Sequence, residues 1–176
     1  QPAERMSTVP IMNTQTMRII DYYAGSAVCF FLSKLDQIVR IFFIRPKKPV
    51  KEILVMKYFG LGSILLSASM FRALRESFPK AKITFLTFYD NRELCQRLNF
   101  ADTYLFLRKD SPLVFIGDII KALFEFKEHR FDIAIDMEFF SKFSSIVTYL
   151  SFAKKRVGFY VRNEPRTMLY TNPISF

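Results

Sequence analysis

The sequence has few of the residues that bind transition metals or form disulfides. It contains one histidine, His129, and two cysteines, Cys29 and Cys95, among 176 residues. The cysteines form neither a C-x-x-C motif nor a cluster with the histidine, which argues against a zinc site and against a disulfide framework. We therefore expect reduced thiols, no metal site, and a function that depends on other side chains.

Acidic residues are also scarce relative to basic ones. Lysine and arginine outnumber aspartate and glutamate by 26 to 16, which gives a net charge of +10. A basic chain favours an anionic partner, such as nucleic acid, an acidic membrane surface or a phosphorylated substrate. The basic residues are scattered and form no stripe interleaved with aromatic residues, as nucleic-acid-binding modules tend to show. We expect no nucleic acid partner.

The first 49 residues differ from the rest. Residues 1–16 are polar and without periodicity, which predicts a mobile tail. Residues 17–44 predict one long helix, whose uncharged part is shorter than the roughly 20 residues of a membrane span. A basic cluster at 45–48 follows, and two prolines make a linker that ends at 49. The pattern favours an interfacial helix against anionic lipid, with packing against the protein as the alternative.

Beyond residue 49, short apolar runs alternate with helical periodicity. The apolar runs predict buried strands at 52–57, 82–88, 103–107, 131–137 and 155–159. The periodic segments predict helices at 64–78, 92–98, 113–127 and 140–152. This alternation with short connections predicts an α/β fold with a parallel, doubly wound sheet over residues 50–176.

Because the chain begins at Gln1 and not at a methionine, we expect it to be part of a longer protein.

In an open parallel sheet, ligands bind at the carboxyl ends of the strands. The loop after the first predicted strand carries Gly60 and Gly62, which favour a sharp turn that leaves helix amides available to an anion. Ser63 is placed to cap the following helix. The loop lacks the third glycine of a dinucleotide fingerprint and the Gly-Lys-Ser/Thr of a P-loop. A turn that binds no ligand is the alternative.

Two further strand ends carry candidate site residues. Asp136 and Glu138 follow a buried run, and carboxylates beside a cleft are candidate general bases. The alternative is that Asp136 caps the next helix or pairs with Lys142 or Arg156. In the last predicted strand, Arg156 is a candidate for binding an anionic group, and Gly158 allows a close approach to the backbone.

Two segments resemble the family 9 glycosyltransferases, the lipopolysaccharide heptosyltransferase group. The first is KEILVMKYFGLGSILLSASMFRALRESFPKAKITFLT, in which a strand and a glycine-containing loop precede a helix that ends in RALR and a Phe-Pro pair. The second is FDIAIDMEFFSKFSSIVTYLSFAKKRVGF, which resembles the strand, aspartate, helix and (K/R)R-x-GF strand of that family. Together they cover most of the range from Lys51 to Phe159.

The resemblance implies the Rossmann-like N-terminal half of a GT-B fold, which holds the acceptor, preceded here by the helix. It implies that a heptose or related sugar is transferred with inversion from a nucleotide-sugar donor, ADP-heptose. The implied acceptor is a lipid-linked anionic saccharide of the lipopolysaccharide core, and no metal or other cofactor is implied. It also implies a cytoplasmic location at the inner face of the bacterial membrane. We expect the C-terminal donor domain to be absent from this sequence and the fragment to be inactive alone. The expected substrate-binding residues are Lys57, Gly60, Gly62, Ser63 and Arg156.

The sequence departs from the family pattern at one position. In many heptosyltransferases the first loop carries an aspartate that is proposed to deprotonate the acceptor hydroxyl, and Ser63 stands at its place here. A serine hydroxyl accepts no proton at neutral pH without another base, so the predicted catalytic base is Asp136 or Glu138, with Glu138 favoured. The alternatives are a different acceptor, an inactive member, or a non-catalytic module that binds a phosphate or another anion.

Overall fold

The computed structural model describes residues 14–42 and 49–175, and this part of the chain contains six β-strands and six α-helices. The strands are β1 (Glu52–Met56), β2 (Lys82–Phe88), β3 (Thr103–Leu107), β4 (Ile133–Asp136), β5 (Lys155–Phe159) and β6 (Asn172–Ile174). The helices are α1 (Thr14–Phe42), α2 (Leu61–Leu66), α3 (Ala68–Ser77), α4 (Arg92–Leu98), α5 (Pro112–His129) and α6 (Lys142–Leu150). Two short 3₁₀ helices span Tyr89–Asn91 and Pro165–Leu169.

The strands form one parallel sheet in the order β3-β2-β1-β4-β5-β6, which confirms the predicted α/β, Rossmann-like fold. The chain builds outward from β1 to β3 and then continues on the other side of β1. Met56 at the end of β1 is in register with Asp136 at the end of β4. The strand order therefore reverses between these two strands, and ligands of such sheets bind outside the carboxyl ends at this switch point.

Both faces of the sheet are covered by helices. Leu54 and Met56 of β1 pack with residues of α5 and α6 on one face. Ile53 and Val55 pack with residues of α2, α3 and α4 on the other. All four side chains have no exposed surface. Burial on both faces explains why the strands appear in the sequence as continuous apolar runs and not as alternating ones.

Three local features differ from the prediction. The segment predicted as one helix at 64–78 forms two helices that meet at Ser67. The edge strand β6 was not predicted, because its residues are exposed and include Pro173, which a sheet accepts at an edge. The prediction that Ser63 caps the first helix is wrong. The helix begins two residues earlier, after Gly60 with φ of 85°, and the Ser63 hydroxyl donates to the Gly60 carbonyl at 2.9 Å.

The helix α1 packs on α6 and on the 3₁₀ helix Pro165–Leu169. Its inner face is small and polar, with Gly25, Cys29, Ser33 and Asp36 buried. A Cβ atom on Gly25 would lie 2.8 Å from the Cβ of Lys142, so glycine permits the close approach of α1 to α6. The predicted long helix is confirmed over 17–42, and it begins at Thr14, inside the predicted tail. Residues 1–13 and the predicted basic cluster at 45–48 lie outside the described residues.

The outer face of α1 is apolar and exposed. The large exposed side chains on this face are Ile19, Tyr23, Phe30, Phe31 and Leu35, whereas the exposed Ile20, Tyr22 and Val28 line a cavity beside the helix. An ordinary surface helix turns its apolar stripe toward the core and its polar side toward water, so α1 has the reverse arrangement. Among the described residues, no helix has both the length and the apolar character that crossing a membrane would require.

Candidate active site

A cavity of about 1070 Å³ lies between the first half of α1 and the carboxyl edge of the sheet. It opens at the switch point, because its lining includes Lys57, directly after β1, and Glu138, two residues after β4. Ser63 of α2 also lines it. The structure therefore brings three of the predicted site residues together at one cavity, where the strand order predicts a ligand site.

The carboxylate of Glu138 is held across the ends of β1 and β4. Its Oε1 accepts hydrogen bonds from the backbone N–H groups of Tyr58 at 2.7 Å and Phe59 at 2.9 Å. The ammonium group of Lys57 lies 3.2 Å from the same oxygen. Among the described residues, no partner contacts Oε2. One oxygen is thus fixed by three donors, while the other is available to a ligand in the cavity.

Asp136 is held by a separate, fully buried network. Its Oδ2 accepts hydrogen bonds from the hydroxyls of Ser144 and Tyr170, each at 2.6 Å. Its Oδ1 accepts one from the backbone N–H of Glu138 at 2.8 Å, and the guanidinium of Arg166 lies 3.6 Å from Oδ2. The Asp136 side chain has no exposed surface and does not line the cavity. Its contacts fix the turn that carries Glu138.

Burial sets the protonation of this network. Desolvation raises the pKa of Asp136 to about 6, although Arg166 and the hydrogen-bond donors Ser144 and Tyr170 oppose the shift. Burial and the nearby Asp136 also raise the pKa of Tyr170, which keeps its hydroxyl a donor. A carboxyl group that shares its oxygens with these donors and has no path to solvent is poorly placed to accept a proton from a substrate.

Arg166 supports the site from outside the cavity, and it was not among the predicted site residues. Its guanidinium donates to the carbonyl oxygens of Phe139 at 2.5 Å and Glu138 at 2.6 Å, and to the Tyr170 hydroxyl at 2.8 Å. The side chain is almost completely buried. These bonds tie the turn after β4 to the 3₁₀ helix Pro165–Leu169. An arginine in an irregular segment nearly thirty residues downstream of that turn has no periodicity or motif that could reveal this role.

The remaining predicted site residues lie elsewhere. Gly60 directly precedes α2 and Gly62 lies in its first turn, and neither lines the cavity. Arg156 is buried and does not line it either; its guanidinium donates to Asp36 of α1 at 2.8 Å and to the Leu169 carbonyl at 2.7 Å. The anionic group that faces Arg156 is therefore part of the chain itself.

Gly158 allows the close approach that the sequence predicted, and the approaching group is the ring of Tyr170. A Cβ atom on Gly158 would lie 2.7 Å or less from three atoms of that ring. Glycine at this position of β5 lets the tyrosine lie flat against the strand with its hydroxyl toward Asp136. The Gly158 position therefore supports the buried network and does not contact the cavity.

Sequence comparisons identify no relative. No protein-family model matches this chain, and no curated protein matches it. The comparison by structure does give matches, and they share the fold described above.

Three solved structures illustrate the similarity. A family 9 glycosyl transferase from Veillonella parvula matches 65% of this chain with a TM-score of 0.55 at 18% identity, and the match spans 33% of its own chain. The ADP-heptose lipopolysaccharide heptosyltransferase II of E. coli matches 68% with a TM-score of 0.54 at 23% identity, over 33% of its length. An E. coli heptosyltransferase solved with ADP-2-deoxy-2-fluoro heptose matches 70% with a TM-score of 0.50 at 16% identity, over 42% of its length. The chain thus shares the fold of roughly a third of each of the first two.

Proposed function

We propose that this chain is the acceptor-binding part of a family 9 glycosyltransferase that transfers a heptose or a related sugar to a lipid-linked saccharide. The fold is shared with sugar transferases, and the cavity lies where this kind of sheet binds ligands. The observation that carries the proposal is the position of Glu138. It is a carboxylate at the switch point, fixed through one oxygen and facing a cavity large enough for a substrate.

In the proposed reaction, Glu138 is the general base. Its carboxylate accepts the proton of an acceptor hydroxyl as the acceptor oxygen bonds to the anomeric carbon of the donor sugar. The bond between that carbon and the phosphate oxygen of the nucleotide breaks, and the nucleotide leaves with the electron pair. Attack from the face opposite the leaving group inverts the anomeric centre. Ser63, which lines the same cavity, takes no part as a base in this scheme.

The donor in the proposal is ADP-heptose, and no metal or other cofactor takes part. One of the structurally similar proteins is named for ADP-heptose, and another was solved with a fluorinated ADP-heptose. Lys57 is positioned to bind an anionic group of a substrate, because its ammonium lies at the cavity beside Glu138. An acidic acceptor also suits the net charge of +10.

The proposal includes attachment to the inner face of a bacterial membrane through α1. Five large apolar side chains on the outer face of this helix, those of Ile19, Tyr23, Phe30, Phe31 and Leu35, are between 45% and 73% exposed. Exposed apolar patches of this kind mark interaction sites. A lipid-linked acceptor would lie in the same membrane, so the helix would bring the cavity to its substrate.

The test is a transfer assay on the full-length protein that contains this sequence. The protein is incubated with an ADP-linked heptose and a lipid-linked core saccharide, and the product is detected by mass spectrometry. The expected result is a gain of one sugar residue that requires both substrates. If no sugar is added from this donor or from other nucleotide-sugars, the transferase proposal is rejected.

A second candidate function has one observation in its favour. The three donors on Oε1 of Glu138 tie the ends of β1 and β4 together, which a purely structural glutamate would also do. The chain would then be a non-catalytic, anion-binding module. The two functions are separable, because Glu138→Gln keeps an acceptor oxygen for the two backbone N–H groups and removes the base together with the negative charge that faces Lys57.

A further inference from the structure

The cavity has apolar walls that the proposed reaction does not use. One wall consists of aromatic side chains in successive contact, here called the aromatic wall: Phe59, Phe88, Phe115 and Phe143. The ring centroids are 5.1 Å apart for Phe59 and Phe88, and 5.4 Å apart for Phe115 and Phe143. Phe88 and Phe115 are 6.4 Å apart and join the two pairs.

The facing wall is contributed by α1 and is here called the helical wall. Its apolar members are Met17, Ile20, Ala24 and Val28. The helix is fixed in this place because Asp21 accepts hydrogen bonds from the first two backbone N–H groups of α6, at 2.8 and 2.5 Å. The separation of the two walls is therefore set by the packing of α1 on α6.

The composition of the walls selects the kind of occupant. Phenylalanine, isoleucine, valine and alanine side chains offer no hydrogen-bond donor or acceptor. A sugar placed between these walls would leave its hydroxyls without partners, which costs free energy for each buried group. A hydrocarbon has no such groups, and its burial is favourable at about 25 cal/mol per Å². The volume of about 1070 Å³ is at the upper end of typical ligand pockets.

The charged groups at the cavity favour an occupant with an anionic head. Three basic side chains line it, Arg18, Lys57 and Lys142, against the two carboxylates Asp21 and Glu138. Asp21 is already occupied by the α6 amides. Lys57 also faces Glu138 at 3.2 Å, and Lys142 faces Glu164 at 3.4 Å. Apolar walls that are bordered by these three cationic groups complement an amphiphile with a hydrocarbon tail and an anionic head.

We propose that the space between the aromatic wall and the helical wall binds the alkyl or acyl tail of an anionic amphiphile. On the proposed function, this amphiphile is the sugar acceptor, whose head lies at Glu138 and Lys57. The helix α1 is then a wall of the substrate site, in addition to any contact of its outer face with a membrane.

The test measures binding of n-alkyl phosphates by isothermal titration calorimetry, at concentrations below micelle formation and with no donor present. Ethyl, butyl, hexyl and octyl phosphate share one head and differ only in the tail. The expected result is a rise in affinity of about fourfold for each added methylene, the equivalent of about 0.8 kcal/mol. If ethyl and octyl phosphate bind equally, the interaction is with charge alone and the inference is overturned.

Two matched variants locate the tail. Ala24 and Ala27 are both exposed residues of α1, but only Ala24 lines the cavity. Ala24→Trp fills space between the two walls and is expected to lower octyl phosphate affinity at least tenfold. Ala27→Trp places the same side chain elsewhere on the helix and is expected to leave affinity within twofold. Circular dichroism and thermal unfolding verify the fold of both variants. If a variant does not fold, the series of alkyl phosphates on the unaltered protein still tests the inference.

Two outcomes separate this inference from the proposed function. Equal losses of affinity in both tryptophan variants would place the tail on the outer face of α1 and overturn the inference. If the full-length protein transfers no sugar but its affinity for alkyl phosphates still rises with tail length, the transferase proposal is rejected and the inference of a tail-binding site is retained.

Discussion

The guanidinium of Arg156 in β5 donates a hydrogen bond of 2.8 Å to Oδ1 of Asp36 in α1. Both side chains are buried, with 7% and 6% of their surfaces exposed. The pair joins the helix that precedes the sheet to a strand near its far edge. Because neither charge has access to water, each depends on the other, and α1 is an integral part of the domain.

We expect Asp36→Ala to lower the free energy of unfolding by about 3–5 kcal/mol, because it leaves a buried arginine without its carboxylate. The double variant Asp36→Leu/Arg156→Met removes both charges and should lose less than the sum of the losses in the single variants Asp36→Leu and Arg156→Met. Urea denaturation measures all four variants. Arg75→Met is the control, since its pair with Asp102 is about 40% exposed and should be worth about 1 kcal/mol or less. Equal losses at the two pairs would contradict a structural role for α1.

The packing of Tyr170 on Gly158 gives a second prediction. Gly158→Ala places a methyl group inside the space of the tyrosine ring and should lower the free energy of unfolding by about 1–3 kcal/mol. Gly117→Ala is the control, because a Cβ atom at that position of α5 meets no atom within 4 Å. It should stabilise the helix by about 0.5–1 kcal/mol. Thermal unfolding that shifts in the same direction for both variants would show that the ring does not occupy this space.

The pKa of Asp136 predicts how stability depends on pH. Because burial raises this pKa from 3.8 to about 6, the folded state keeps a proton that the unfolded state releases. The contribution of Asp136 is therefore fully present below about pH 4 and is lost as the pH rises through 6. The free energy of unfolding of the unaltered protein, relative to that of Asp136→Asn, should fall by on the order of 2–3 kcal/mol between pH 4 and 7. A difference that stays constant in urea titrations at pH 4, 5, 6 and 7 would refute a raised pKa.

The outer face of α1 predicts binding to anionic vesicles. Phe31 is 72% exposed on this face, and Phe31→Ser should reduce sedimentation with vesicles that contain anionic lipid. Phe124→Ser is the matched control, because Phe124 is 69% exposed on α5. Point variants are preferable to deletion of residues 17–44, since deletion would also remove Asp36 from Arg156. Equal binding by the two variants would count against membrane contact through α1.

The sequence predicts the strands of the sheet well, but it does not predict the buried hydrogen-bond network around Asp136. The strands at 82–88, 103–107 and 155–159 were predicted to the residue. The first of them is buried along almost its whole length, and continuous burial produces a continuous apolar run. Lys57, Ser63 and Glu138 were predicted as site residues at separate loops, and the structure brings them to one cavity. Arg166 escaped prediction because its partners, two backbone carbonyls and the side chains of Tyr170 and Asp136, are brought together only by the fold.

The arrangement of α1 was only half predicted for a related reason. The sequence predicts the helix but leaves open whether its apolar side chains lie against lipid or against the protein, because a hydrophobic pattern alone does not distinguish the two. The face of α1 that packs on the domain is determined by Gly25, Cys29 and Asp36, which are small or polar residues that contact specific partners on α6 and β5. Such pairings join residues more than a hundred positions apart, and local periodicity carries no information about them.

The central claim is that Glu138 is the base of a sugar transfer. The most direct measurement is the rate of transfer by full-length Glu138→Gln, compared with the unaltered protein and with Glu128→Gln, a substitution at an exposed position of α5. The amide oxygen of glutamine can still accept from the N–H groups of Tyr58 and Phe59, so the fold should be preserved while the base is lost. We expect the rate for Glu138→Gln to fall by about 10²–10⁴-fold and Glu128→Gln to remain near the unaltered rate. Transfer by a folded Glu138→Gln protein at the unaltered rate would contradict the account.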